Sequence, residues 1–179
     1  MKYSKITISG KICTGKTTLL KRLQKKLNWP TFMTGQLFRD YVKNHKLNLE
    51  GAEEQNEKLT KAVDHKVRDI LHNRGNLIVD GWMSGISANK QADVLKILLV
   101  CRDEIRYKRF AKREKIKFTD AEIRVEDRQN SWFDKIEKIH KIKRREFTDE
   151  KNYTLVIDTS YITPQAVLKK VFLTLNQQV

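Results

Sequence analysis

Residues 10–17 read Gly10-Lys11-Ile12-Cys13-Thr14-Gly15-Lys16-Thr17, followed by Thr18. This is the spacing G-x-x-x-x-G-K-T of a phosphate-binding loop. The pattern has a mechanical reason. A loop whose backbone N–H groups turn inward makes a nest for an anion. Gly10 and Gly15 permit the unusual dihedrals and let the backbone come close to a phosphate. A helix starting near Lys16 adds the positive end of its dipole. Lys16 is then expected to reach the β- and γ-phosphates of ATP, and Thr17 to offer a hydroxyl to Mg²⁺.

The flanks suit this reading. Lys5–Ser9 is a short β-branched run, and Leu19, Leu20, Leu23 and Leu27 form a helical stripe after the loop. Further apolar runs at Asn76–Val79, Lys96–Val100 and Thr154–Asp158 read as strands, with Thr31–Thr34 as a weaker fifth. They lack clean alternation, as parallel strands covered on both faces do. Helical stripes fall between them. One, Leu59, Val63, Val67, Ile70 and Leu71, is stopped by Gly75; the last is opened by Thr163 and Pro164. Thr119 with Glu122 suggests a capping box at the start of a long basic helix. Strand–helix alternation argues for an α/β fold with a parallel sheet.

Asp80 ends the run Leu77-Ile-Val-Asp80. That places a carboxylate at the C-terminal edge of the sheet, where open α/β sheets bind ligands. Beside the loop it would hold Mg²⁺ directly or through water, together with Thr17.

The chain has 179 residues, enough for one domain, and it carries no linker-like stretch and no repeat. Its 37 basic and 22 acidic residues give +15, and the excess is local. Residues 1–30 hold eight basic residues and no acid, and residues 101–147 hold sixteen against ten. Such a field attracts nucleotides, phosphates or nucleic acid. Two cysteines make no disulfide framework, and the N-terminus lacks the apolar core of a secretory signal. The longest apolar run is far short of a membrane span. A cytoplasmic, monomeric protein without a membrane partner is the expectation.

The ordered set Gly10–Thr17, Thr34-Gly-Gln-Leu-Phe-Arg39, Asp80-Gly81, Arg109 through Glu114 and Val156-Ile-Asp-Thr-Ser160 resembles the nucleoside monophosphate kinases. More closely it resembles the cytidylate kinase family in its short archaeal-type branch, from about Ile6 to Phe172. The resemblance implies a P-loop NTPase fold with a five-stranded parallel core flanked by helices. It also implies a monophosphate-binding insertion at about 35–74 and a basic lid at about 106–130. ATP and a nucleoside monophosphate would be the substrates, with Mg²⁺ as cofactor. By the same resemblance Thr34 and Arg39 contact the acceptor, Arg39 through its phosphate. Arg109, Arg113 and Arg128 close over the transferring group, and the Asp158-Thr159-Ser160 loop lies near adenine.

The chain departs from the family at Trp82, where an arginine usually follows the Asp-Gly. Trp82 could stack on an acceptor base, so the choice among CMP, dCMP, UMP and AMP stays open. Trp29, Trp82 and Trp132 are otherwise scattered and expected to pack. Cys13 sits where many such loops carry glycine, and Lys16 and the loop N–H groups should favour its thiolate. Asp64 and His65 lie where the base might be read, although a solvent-facing pair is the plainer expectation. Two other functions compete with the nucleotide kinase reading. A kinase for a hydroxyl acceptor such as shikimate would need a carboxylate near the second strand, and Thr31–Arg39 contains none. A nucleic-acid-binding protein would explain the charge, but no aromatic-rich RNA motif is present.

Overall fold

The computed structural model describes residues 2–45 and 57–176. Five strands form one sheet: β1 (Lys5–Gly10), β2 (Thr31–Met33), β3 (Leu77–Asp80), β4 (Val94–Val100) and β5 (Leu155–Asp158). Their order is β2-β3-β1-β4-β5, and every neighbouring pair is parallel. The five strands read from the sequence are all present. The expected P-loop NTPase architecture is observed.

The helices between them are α1 (Lys16–Leu27), α2 (Thr34–His45), α3 (Glu57–His72), α4 (Ser84–Ser87), α5 (Asp103–Glu114), α6 (Phe118–His140), α7 (Arg144–Thr148) and α8 (Pro164–Asn176). Ile6, Ile8, Ile97 and Leu99 of the sheet pack with Leu19, Leu20 and Leu23 of α1 and with Leu168 and Val171 of α8. On the other face Val67 and Leu71 of α3 meet Val79, Ala88 and Val94. Covering both faces explains the continuous apolar strands. Each fully buried Leu or Ile contributes about 1.5–3 kcal/mol relative to exposure. A third cluster, Ile12 with Tyr107, Phe110, Ala121 and Val125, fastens the α5–α6 hairpin to the loop after β1.

The register fixes the site. Ile8 of β1 pairs with Asp80 of β3, so the loop and the carboxylate leave the sheet side by side. Gly10 has φ +145°, and a Cβ there would lie 2.4 Å from the Leu99 carbonyl oxygen. The first glycine of the motif is therefore required by both conformation and contact. Thr163 accepts from the Ala166 N–H at 3.2 Å, as its place before Pro164 predicts.

One local expectation is corrected. The capping box at Thr119 does not form: α6 begins one residue earlier after extended Lys117, and Thr119 lies inside the first turn. The long helix runs from there to His140. Its far half carries Phe133 and Ile136, whose burial holds it against the body of the protein. The middle of the expected insertion, 46–56, lies outside the described residues.

Candidate active site

Four successive loop carbonyls accept side-chain hydrogen bonds, three of them from outside the loop. The Lys11 carbonyl accepts from Lys16 Nζ at 2.9 Å and Thr14 Oγ1 at 3.0 Å. The Ile12 carbonyl accepts from Arg106 Nε at 2.9 Å. The Cys13 carbonyl accepts from Arg109 Nη1 at 3.3 Å, and the Thr14 carbonyl from Thr159 Oγ1 at 2.9 Å. A trans peptide directs its N–H opposite to its C=O. Pinning the carbonyls outward turns the N–H groups toward the concave side, where an anion would sit. Gly15 takes φ 99° at the start of α1, and Cys13 takes φ 62°, a left-handed conformation rare for a side-chain-bearing residue.

This loop floors a cavity of about 850 Å³. Residues Ile12 to Thr18 line it, as do Thr34, Arg39, Asp80, Trp82, Arg109, Arg113 and Arg128. Gly10 and Lys11 are not among its lining residues. Thr17 Oγ1 donates to Asp80 Oδ2 at 2.9 Å, so the two oxygens expected at a metal are already adjacent. Thr34 Oγ1 donates to the Asp80 carbonyl at 3.3 Å. That approach depends on Gly81, where a Cβ would fall 2.8 Å from the Thr34 side chain.

The arginines divide by role. Arg109 is tied down: besides Cys13, its Nη2 donates to the Thr159 carbonyl at 2.6 Å. Arg113 is exposed on α5, beside Glu114 at 2.7 Å and over the Phe110 ring at 5.0 Å. Arg128 lines the same cavity from α6. Arg39, exposed on α2, forks onto Gln36 Oε1 at 2.8 and 3.2 Å. Arg106, which shares the helical spacing of Arg109 and Arg113, does not face the cavity. It is fully buried and bonds Ile12, Asp103 and Gln129. It is a brace between the loop and the α5–α6 hairpin, and nothing in a run of basic residues distinguishes it.

Two of the three tryptophans lie together. Trp82 and Trp132 lie with ring centroids 4.2 Å apart, and Phe133 and Phe147 complete the cluster. Both tryptophans line the cavity, and Lys16 Nζ is 5.7 Å from the Trp82 ring. Trp29 is buried in the main core, as expected. Ser84 is buried against the Gly81 carbonyl at 2.9 Å.

Asp64 and His65 part company. His65 is exposed, whereas Asp64 lines the cavity and pairs with His140 Nε2 of α6 at 2.6 Å. Burial raises the Asp64 carboxyl above its ordinary value despite the opposing bond to His140. Its position on the flank of the Val63–Val67 stripe was the one local sign of this burial.

The expectation for Cys13 is overturned. Burial outweighs the attraction of Arg113, Lys16 and Arg106 and pushes the thiol up, so the thiolate is disfavoured. Cys13 should therefore alkylate with iodoacetamide at pH 7.5 more slowly than a free peptide thiol, and accelerate steeply above pH 9. Mass spectrometry of timed samples checks this. Labelling faster than the peptide would contradict it.

Known proteins were compared with this chain. A family described as an AAA domain matches residues 6–131. The cytidylate kinase of Haloarcula marismortui is 31% identical over 166 residues, covering 91% of this chain and 84% of that protein. An S-adenosylmethionine-dependent nucleotide dehydratase of Lacinutrix mariniflava is 30% identical over 92% of this chain, but over only 34% of its own length. Among solved structures, shikimate kinase from Acinetobacter baumannii in complex with shikimate aligns at a TM-score of 0.62 and 14% identity, covering 98% of this chain and 96% of that one. The last similarity shows the fold alone.

Proposed function

Because the chain belongs to the cytidylate kinase family of P-loop kinases, we propose that it transfers the γ-phosphoryl group of ATP to CMP or dCMP. One observation carries the proposal: a single cavity joins the pinned phosphate loop to Arg39 and Thr34 on α2 and to three arginines of α5 and α6.

The chemistry asks for little covalent help. A monophosphate is already an anionic nucleophile, so no general base is needed; positioning and charge neutralisation dominate. The donor phosphates occupy the loop, and Lys16 exchanges the Lys11 carbonyl for phosphate oxygens. Arg39 holds the acceptor phosphate with its planar fork. Arg109, Arg113 and Arg128 offset charge on the transferring group. Thr17 and Asp80 are hard oxygen donors 2.9 Å apart and fit Mg²⁺. Thr17 and Asp80 would hold that ion, and it would supply neutralisation of the charge that develops on the transferring group.

A hydroxyl acceptor suits the site less well. Among the described residues the carboxylates lining the cavity are Asp64, Asp80 and Glu114; Thr17 holds Asp80, Arg113 holds Glu114, and His140 engages one oxygen of Asp64. The test is a panel of ribo- and deoxyribonucleoside monophosphates, with shikimate added, incubated with ATP and Mg²⁺. Diphosphates of cytidine or deoxycytidine should form fastest. Their absence, with any other acceptor consumed, would overturn the assignment.

A further inference from the structure

The α3 wall of the cavity carries a polar pair that the proposed transfer chemistry leaves unused. Thr60 and Asp64 are four residues apart on α3, one turn of the same face. Thr60 is 5% exposed and lines the cavity, and its hydroxyl has no hydrogen-bond partner among the described residues. Buried hydroxyls are almost always satisfied, so an orphan beside a cavity points to a ligand. Asp64 has one oxygen, Oδ2, bonded to His140 Nε2; among the described residues Oδ1 makes no hydrogen bond. Apolar residues line the same cavity from both helices: Val63 and Val67 on α3, and Trp132 and Ile136, two turns and one turn before His140 on α6. A flat ring with polar atoms on one edge fits such a slot.

We infer that Thr60 and Asp64 read the hydrogen-bonding edge of the acceptor base, selecting an amino–imine edge over a keto edge. The inference rests on the nucleoside monophosphate kinase reading and deepens it. A carboxylate is acceptor-only, whereas a threonine hydroxyl can donate. Cytosine presents a 4-amino donor next to the N3 acceptor. Asp64 Oδ1 accepts a hydrogen bond from the amino group, and the Thr60 hydroxyl donates to N3. Uracil presents a 4-oxygen, which would face the carboxylate acceptor to acceptor, with no proton between them. Adenine carries the same amino–imine pattern as cytosine, so the pair separates amino bases from keto bases. His140 is the positioning residue: by engaging Oδ2 it leaves one oxygen for the base and fixes its direction. Sites that hydrogen-bond a substrate group reject analogues lacking it far more strongly than apolar pockets do.

The test compares kcat/KM for CMP and UMP in the wild type, Asp64→Asn and Thr60→Val. The wild type should favour CMP. Asp64→Asn offers an NH₂ to the uracil 4-oxygen and should lower the CMP-to-UMP ratio by about 10- to 100-fold. Thr60→Val keeps the shape and should reduce kcat/KM for CMP by about 10-fold, while KM for ATP holds. A ratio unchanged in Asp64→Asn overturns the inference. If that variant does not fold, Thr60→Val decides alone, and CMP kinetics equal to wild type overturn it. A wild type that phosphorylates no monophosphate refutes the kinase reading itself. A wild type active on CMP whose variants behave like it refutes only the edge reading.

Discussion

Lys16→Ala is expected to lower kcat by about three orders of magnitude while leaving the protein folded. Donor and acceptor phosphates repel, and Lys16 is the cation built into the loop itself. In the ligand-free protein its ammonium spans the loop to the Lys11 carbonyl at 2.9 Å, with the Trp82 ring 5.7 Å away. Neither contact is needed to close the fold, because Thr14 Oγ1 also holds that carbonyl at 3.0 Å. The lost hydrogen bond costs about 1 kcal/mol, or roughly 2–4 °C in Tm for a chain of this size. Steady-state rates with a thermal melt check both halves. Near-normal turnover would remove Lys16 from the transfer step.

Arg106→Leu should have the largest effect on stability. Arg106 is completely buried, yet it carries a full charge and bonds the Ile12 carbonyl, Gln129 Oε1 and Asp103. Leucine would leave the carbonyl and the 5%-exposed Gln129 without this donor. Breaking a buried pair costs about 3–5 kcal/mol, and the low end applies because Asp103 stays half exposed. About 3 kcal/mol corresponds to a fall in Tm on the order of 10 °C. Arg106→Lys should not rescue it, since an ammonium cannot fork to three acceptors. KM for ATP should rise as well, because the Ile12 peptide is part of the phosphate nest. A Tm within about 2 °C of wild type would show that the brace is dispensable.

What the sequence makes legible follows the range of the interactions. The phosphate loop is contiguous, so its glycines, Lys16 and Thr17 announce themselves, and the flanking strand and helix follow from short apolar patterns. Asp80 is visible because a strand end is a local feature. The Trp82–Trp132 contact is not, since it joins residues fifty positions apart that meet only when α6 packs against the loop after β3. The Asp64–His140 pair spans an even longer gap. Arg106 shows the same limit differently: at helical spacing it looks like Arg109 and Arg113, and only packing against Ile12 and Gln129 reveals that it points inward. Cys13 was misread because neighbouring cations are visible in a sequence and burial is not; burial wins. The capping box at Thr119 is a common local pattern that the helix start at Phe118 bypasses.

The central claim is transfer between two phosphates. It is tested most directly by incubating the chain with Mg²⁺, CMP and ATP labelled at the γ-phosphate, then locating the label. The account predicts label in the β-phosphate of CDP, with one ADP formed per CDP. Label released only as inorganic phosphate, or attached to a hydroxyl of the acceptor, would contradict it.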